Sequence, residues 1–399
     1  CFGLALAAGL WAGCDAAPGS QEPMQFFRGN THTHTLWSDG DAAPEWVTAW
    51  FRERDYDFLV LSEHNIVADH ERWFPVAEGS RLTEERLAAL EEKFGAEAIE
   101  TRSNVEGKRE MRLWTLDELR EQFEAPGEFL LITGEEVTDS FEGKNVHINA
   151  LNLASVIPPQ HGTTLVETVD RNLDAISLHG VEHQRPVLAH LNHPNFTWSL
   201  TQQDLSAAEG LRFFEVYNGH PSVRNAGDDQ RASTEAMWDF VNKHADLDDA
   251  PPCFGLATDD SHHYHTIGLG RSNPGRGWIQ VAAQELSASS ILAALEAGAF
   301  YGSSGVELHS FERSASRYRV RVLPEEGVSY RIQFYGARAG AEPGLLSEVE
   351  GTEAEYDWAG DEQFVRAVVV SDRPHPNPAE EGEMERAWLQ PVWGPARRP

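Results

Sequence analysis

The sequence predicts an α/β protein, a distorted seven-stranded β/α barrel followed by a small C-terminal antiparallel β-sandwich-like domain. Seven strand-like runs alternate with helical or loop segments between residues 25 and 305, and this alternation is typical of β/α folds. Several of the runs are continuously apolar, as expected of parallel strands buried on both faces. From about residue 306 short alternating runs separated by turn residues predict the antiparallel β domain.

The predicted barrel strands lie at 25–34, 56–65, 128–137, 145–153, 186–194, 211–218 and 253–262. Helices are predicted at 43–54, 163–179, 232–245 and near 287–298. The second of them carries apolar residues at helical spacing: Leu165, Val169, Leu173 and Ile176. An insertion rich in Glu and Arg, at about 68–127, separates the second and third strands and is expected to form a lid or rim.

The N-terminal stretch CFGLALAAGLWAGC is apolar and has about the length of the hydrophobic part of a signal peptide. It is too short to span a bilayer. Ala12-Gly13-Cys14 resembles a bacterial lipoprotein cleavage site, so we expect an exported periplasmic or cell-surface lipoprotein, attached to the membrane only through lipid at Cys14. The predicted division is a leader and tether at 1–24, the barrel at 25–305 and the β domain at 306–399.

Acidic residues outnumber basic ones, 64 against 32, and the net charge at pH 7 is −32. Such a surface repels the phosphate backbone of DNA and RNA, so nucleic acid is not an expected partner. With three cysteines the chain has no disulfide scaffold, and Cys253 is expected to be a buried thiol.

Polar residues able to bind a metal recur where the predicted strands end. The stretch GNTHTHTLWSDG at 29–40 shows the pattern, because His32 and His34 lie two residues apart and can point to one face of a strand. Six of the seven predicted strands end in this way, and in β/α barrels those ends form the active-site rim. The candidate metal ligands are His32, His34, Asp39, His64, Glu136, His147, His193, Asp260 and His262.

The same segments resemble the PHP family, the polymerase and histidinol-phosphatase metal-dependent hydrolases, and are most similar to its carbaryl-hydrolase-like branch. The resemblance covers residues 25 to about 305. Its motifs are HTHTLWSDG at 32–40, SEHN at 62–65, TGEE at 133–136, VHINAL at 146–151, LNHP at 191–194 and TDDSHH at 258–263. It implies a distorted seven-stranded barrel that holds a cluster of two to three divalent metal ions.

Transferred residue by residue, the resemblance implies three sets of ligands. The first metal would be held by His32, His34, Glu136 and Asp260, the second by Glu136, His147 and His193, and the third by Asp39, His64 and His262. Imidazole and carboxylate ligands favour Zn, Mn or Fe over Ca²⁺ or Mg²⁺ alone. A cluster of this kind with many open positions is expected to be catalytic.

Three pairs of neighbours leave a choice open. Glu135 could replace Glu136, although the Gly-x-Glu pattern favours Glu136. His190 could replace His193, but on a strand these two residues are expected to face opposite ways. In TDDSHH, Asp260 and His262 are expected on one face and Asp259 on the other. Glu63, just before His64, is expected to orient a ligand.

The predicted catalytic residues are Glu136 and Asp260 within the cluster, with His220 or His263 as the acid toward the leaving group. Other polar residues have weaker claims. Glu215 and Asn218 could face the substrate, His265 could act as the acid, and Ser303 and Ser304 could line the pocket. Three arginines could bind an anionic group: Arg28, Arg271 and Arg276.

We therefore expect a metal-dependent hydrolase that uses metal-bound hydroxide on a small-molecule ester, most simply an anionic phosphomonoester or phosphodiester. Hydrolysis of a carboxylic or carbamate ester or an amide is the alternative, because the same nucleophile attacks those carbonyls. A third hypothesis is a surface lipoprotein that binds glycan or a partner, with the barrel as an inert scaffold.

Overall fold

The computed structural model describes residues 24–245, 251–314 and 316–397. The predicted leader and its Cys14 lie outside these residues. The α-helices are α1 (Pro44–Arg52), α2 (Glu84–Phe94), α3 (Leu116–Phe123), α4 (Leu165–Glu182), α5 (Gln202–Ala207), α6 (Thr234–His244) and α7 (Ala288–Glu296). Within the described residues, no helix is both long and apolar enough to cross a membrane.

The strands of the N-terminal three quarters of the chain are β1 (Phe27–Asn30), β2 (Phe58–Leu61), β3 (Trp73–Pro75), β4 (Thr101–Ser103), β5 (Arg109–Arg112), β6 (Leu130–Phe141), β7 (Lys144–Leu151), β8 (Leu188–Leu191), β9 (Phe213–Asn218), β10 (Phe254–Thr258), β11 (Trp278–Val281) and β12 (Phe300–Ser303). The C-terminal strands are β13 (Leu308–Arg313), β14 (Arg317–Val322), β15 (Tyr330–Arg338), β16 (Gly344–Glu350), β17 (Glu353–Asp357), β18 (Glu362–Pro374) and β19 (Met384–Trp393).

The α/β class is confirmed, and each of the seven predicted barrel strands coincides with an observed one. Their directions are mixed, which corrects the expectation of parallel strands. β6 and β7 form an antiparallel hairpin, and β7 also pairs antiparallel with β8. The hairpin turn is Glu142-Gly143, with φ of 48° and 80°. A two-residue turn with positive φ at both positions joins only antiparallel neighbours.

The predicted closed barrel is not found among the described residues. The main sheet has the order β10-β9-β8-β7-β6-β2-β1-β11-β12-β19-β18-β15-β16. Between the segments that follow β1 and β10, one isolated parallel bridge joins Thr33 to Ser261 in place of a ladder. The sheet does not return to β10 because β12 pairs with β19 and continues into the C-terminal strands.

The helices cover the sheet with the apolar faces that the sequence predicts. In α4 the side chains of Leu165, Val169, Leu173 and Ile176 are buried. The helix begins after Thr164, whose side chain accepts the N–H of Glu167 as an N-cap. These residues share a core with side chains from the β6–β10 half of the sheet.

The insertion at 68–127 forms a small sheet, β3-β5-β4, together with α2 and α3. It holds the turn that follows His34. Nη1 of Arg81 donates to the carbonyls of Ser38 and Gly40, both at 2.8 Å. Nε1 of Trp37 donates to the carbonyl of Trp114 at 2.9 Å. The insertion therefore fixes the loop that carries Asp39.

The C-terminal strands are antiparallel, as predicted, and form two layers. A sheet of β13, β14 and β17 packs on the end of the main sheet formed by β15, β16, β18 and β19. The buried core between them includes Tyr318 and Val320 from one layer and Ile332, Phe334 and Val369 from the other. This arrangement is sandwich-like, and the division of the chain at residue 305 stays a prediction.

Candidate metal centre

His32 and His34 converge on one carboxylate. Both residues follow the end of β1, and their ring centroids lie 5.2 Å apart. Nε2 of His32 and Nε2 of His34 each lie 3.3 Å from Oδ1 of Asp260. Both imidazoles are fully buried, because the Thr33–Ser261 bridge holds the end of β1 against the segment after β10.

Glu136 lies at the centre of the cluster and is fully buried. Five imidazole nitrogens surround its two oxygens at the following distances: His64 2.9 Å, His147 3.0 Å, His34 3.4 Å, His193 3.4 Å and His32 3.5 Å. A carboxylate that faces so many ligands can bridge two ions.

Asp39 closes the outer end of the cluster, and its side chain is about half exposed. Its oxygens lie 3.1 Å from Nε2 of His262, 3.5 Å from Nε2 of His64 and 3.7 Å from Nδ1 of His34. The two outer histidines therefore connect Asp39 at the surface to the buried carboxylates below.

All nine candidate ligands fall into four overlapping groups whose ligand atoms lie within 4.8 Å of one another. The groups are His34, Asp39, His64 and His262; His32, His34 and Glu136; His32, His193 and Asp260; and His64, Glu136 and His147. The grouping differs from the predicted sets. His193 lies with His32 and Asp260, apart from Glu136 and His147, and both His34 and His64 join the outer group as well as a group around Glu136.

The donor atoms fit a metal cluster. Nε2 of His32, Nε2 of His34 and Oε2 of Glu136 are buried without a hydrogen-bond partner, although buried polar atoms are normally paired. Two ligands bound to one ion at about 2.1 Å lie roughly 3.4 Å apart in tetrahedral geometry, close to the 3.3–3.5 Å that separates these nitrogens from their carboxylates. Imidazole and carboxylate donors suit Zn, Mn or Fe.

The ionisation of the cluster also suits a cation. Burial opposes the charge on Glu136 and Asp260, but the surrounding histidines hold the pKa of both carboxyl groups well below their usual values. Burial, with the neighbouring His262, lowers the pKa of His34 to about 3. Despite the burial of these rings, the nearby carboxylates raise the pKa of His32, His64 and His262, so a bound cation would take the place of their protons. His34 is already a neutral imidazole, which is the form that binds metal.

Glu215 orients the cluster from beneath. Its Oε1 lies 2.6 Å from Nδ1 of His32 and accepts a bond from Thr258, while its Oε2 accepts the N–H of His193 and the amide of Asn218. The side chain is fully buried. The expectation that Glu215 and Asn218 face the substrate is wrong, since both are used to position candidate ligands.

Three acidic neighbours of the candidate ligands face elsewhere, as the sequence predicts for Glu135 and Asp259. Oε1 of Glu135 accepts the N–H of Ile157 at 2.5 Å. Asp259 accepts the N–H groups of residues 275–277. Glu63 accepts bonds from Thr35 and Ser38, and so orients the loop that carries Asp39.

The prediction that His190 and His193 face opposite ways is wrong. The His190 ring lies 6.5 Å from the ring of His32, and its Nδ1 lies 4.0 Å from Oε1 of Glu215. The His193 ring lies 5.7 Å from the same ring of His32. Strand β8 ends at Leu191, and the positive φ of His193, 27°, breaks the alternation of a strand. His190 lies below the cluster and belongs to none of the four groups.

A cleft of about 310 Å³ opens onto the cluster. His220 and His263 line it, and so do two residues that the sequence analysis did not single out, Phe196 and Ser272. Phe196 lies three residues after His193, and no pattern in the sequence marks it. Burial, together with the nearby imidazoles of His262 and His193, lowers the pKa of His220 to about 4 although Asp260 opposes this, so its ring is neutral at pH 7.

Several weaker candidates lie away from this cleft. Arg28 is stacked between Tyr56 and Trp278, and Arg276 is buried and donates to backbone carbonyls, including that of Gly219 at 2.8 Å. Four further residues are also absent from the lining: His265, Arg271, Ser303 and Ser304.

No family model and no curated protein matches this chain. Solved structures do. A two-domain protein from Bacteroides vulgatus containing a predicted PHP-like metal-dependent phosphoesterase is 14% identical, covering 94% of this chain and 100% of that chain at a TM-score of 0.40. A predicted metal-dependent phosphoesterase from Bifidobacterium adolescentis is 14% identical, and the match covers 64% of this chain and 91% of that chain at a TM-score of 0.30. An amidohydrolase from Chromobacterium violaceum, with bound sulfate and no metal, is 13% identical, and the match covers 59% of this chain and 88% of that chain at a TM-score of 0.28. TM-scores of 0.40 and below do not identify the function of this chain.

Proposed function

We propose that this chain is a metal-dependent hydrolase that cleaves phosphoester bonds of small molecules. The observation that carries the proposal is the convergence of six buried or half-buried imidazoles and three carboxylates, among which Nε2 of His32, Nε2 of His34 and Oε2 of Glu136 have no hydrogen-bond partner. Such a set costs folding free energy unless cations balance it, because buried charges and unpaired polar atoms are destabilising.

Divalent ions held by these ligands would supply a nucleophile from water near neutral pH and stabilise negative charge on the reacting oxygens. The protein residues do the remaining work. The negative charges of Glu136 and Asp260 would balance the charge of the bound cations. Glu215 fixes the ring of His32 so that Nε2 faces the site. His220 and His263 line the cleft beside the cluster, where either could meet the leaving group.

A phosphoester is the first choice of substrate because several ions can clamp the oxygens of a phosphoryl group and because the sequence motifs resemble the PHP family. The second candidate is a carboxylic or carbamate ester or an amide. It is favoured by one observation: among the described residues, no lysine or arginine lines the cleft, so an uncharged substrate would also be accommodated.

The test combines metal analysis with a substrate panel. Protein purified without chelator should contain two to three equivalents of Zn, Mn or Fe and should hydrolyse 4-nitrophenyl esters of phosphate in a metal-dependent way. 4-Nitrophenyl acetate, assayed in parallel, distinguishes the second candidate. Less than about one equivalent of metal, together with no activity restored by added Zn²⁺ or Mn²⁺, would show that the proposed function is wrong.

A further inference from the structure

Four residues line the cleft without belonging to the candidate ligand groups: Phe196, His220, His263 and Ser272. They form the wall that a substrate meets beside the cluster. This wall contains no lysine or arginine within the part of the chain that the structure describes. Its chemistry is therefore that of imidazole, hydroxyl and phenyl groups.

Hydrogen bonds from the backbone determine which nitrogen of each wall histidine carries a proton. Nδ1 of His220 accepts the N–H of Ser222 at 3.1 Å, and Nδ1 of His263 accepts the N–H of Ser272 at 3.3 Å. A ring nitrogen that accepts a hydrogen bond carries no proton, so in the neutral ring the proton is on Nε2. Both histidines therefore offer an uncharged N–H donor.

Phe196 supplies an apolar surface next to these donors. Its ring lies 5.1 Å from the ring of His193 and 5.7 Å, edge to face, from the ring of His220. The next two residues, Thr197 and Trp198, have φ of 50° and 58°. A β-branched residue rarely adopts this conformation, and such strain is concentrated at functional sites. The strained turn holds the phenyl ring at the cleft.

We propose that Phe196, His220 and His263 select the substrate, and that this substrate is a phosphodiester with an apolar ester group. The proposal rests on the proposed phosphoesterase function and names its substrate class. A phosphodiester carries one negative charge, whereas a phosphomonoester carries about 1.5 to 2 at pH 7. Two neutral N–H donors can pair with the free oxygens of the diester. The second ester group is what distinguishes a diester from a monoester at this wall. Phe196 covers that group when it is apolar, whereas a monoester leaves the phenyl surface uncovered.

The experiment compares two esters with the same leaving group, bis(4-nitrophenyl) phosphate and 4-nitrophenyl phosphate, on the metal-loaded full chain. The wild type should show at least ~10-fold higher kcat/KM for the diester. His220→Phe removes the donor and should lower diester kcat/KM by ~10²-fold, the usual effect of losing one oxyanion donor. His220→Gln, which keeps an amide N–H near the position of Nε2, should recover part of the loss. Phe196→Ala should raise KM for the diester.

His183→Phe is the matched control, because His183 is exposed at the end of α4 and does not line the cleft. Metal content and equilibrium binding of diphenyl phosphate are measured on every variant. Equal or higher kcat/KM for the monoester, or unchanged diester turnover in His220→Phe with its metals present, overturns this proposal and leaves the hydrolase intact. If no phosphate ester is cleaved in a metal-dependent way, the proposed function fails and this proposal fails with it.

Discussion

Replacing Glu215 by glutamine should weaken metal binding although the substitution changes none of the candidate ligands. The Glu215 carboxylate is fully buried and accepts four hydrogen bonds, from His32, Thr258, His193 and Asn218. Two of them reach Oε1 and two reach Oε2. A glutamine side chain has one oxygen and one NH₂ group, so in either orientation its NH₂ group faces two donors.

The magnitude follows from what His32 loses. The 2.6 Å contact to Glu215 fixes the proton on Nδ1 and leaves Nε2 for the ion. Partners of this kind typically contribute 10–100-fold in metal affinity, which corresponds to about 1.4–2.7 kcal/mol. We expect the Kd for Zn²⁺ or Mn²⁺ to rise by that factor in Glu215→Gln.

The assay is calorimetric titration of metal into chelator-treated protein at pH 7. Glu135→Gln is the control, because burial raises the pKa of Glu135 to about 8 and the group is already neutral at this pH. Glutamine can still accept the N–H of Ile157 that Glu135 accepts. The reasoning is refuted if Glu215→Gln binds metal as tightly as the wild type, or if Glu135→Gln is impaired equally.

Three further predictions test other parts of the structure. Glu136→Gln should lose one or more metals and at least ~10² in activity, since it removes charge that the cations need; full metal content by elemental analysis would contradict this. His193→Asn should lose metal while His190→Asn keeps it, because only His193 belongs to a ligand group; the reverse result would mean that the wrong histidine was assigned. Burial raises the pKa of the Glu45 carboxyl group to about 8, although its own backbone N–H opposes this, so Glu45 alone should cost up to about 5 kcal/mol of stability as the pH rises from 4.5 to 8. In Glu45→Gln the free energy of unfolding, measured in urea, should fall less between pH 5 and pH 8.5 than in the wild type. An equal fall in the two proteins would refute this prediction.

The elements that could be predicted from the sequence are those with a strong local signal. Helix α4 has four apolar residues at helical spacing, and they form its buried face. Several of the seven strands predicted for the barrel have continuous apolar runs, and all seven coincide with observed strands. The alternation of side chains in an extended strand also placed Glu135 and Glu136 on opposite sides, as the contacts confirm. That alternation failed at His190 and His193, because the strand ends between them.

The wider arrangement of the sheet depended on pairings that an apolar run does not encode. A buried run is equally apolar in a parallel and an antiparallel strand, so the reversed direction of β7 was decided by the Glu142-Gly143 turn. The pairing of β12 with β19 likewise joins segments that are about 85 residues apart in the chain. Neither feature has a periodicity of its own in the sequence.

The sequence by itself determined which residue types were available, and seven of the nine potential ligands do follow strand ends, because strand length and side-chain alternation are local properties. Glu136 and His147 depart from that expectation, since they lie within β6 and β7. Only the tertiary structure decided which of them share an ion site and how each is held. Glu136 meets His64 and His147 through the β2–β6–β7 pairings, and His32 meets Glu215 across 183 residues of chain. Contacts of this kind arise from how distant segments pack together, and no local pattern specifies them.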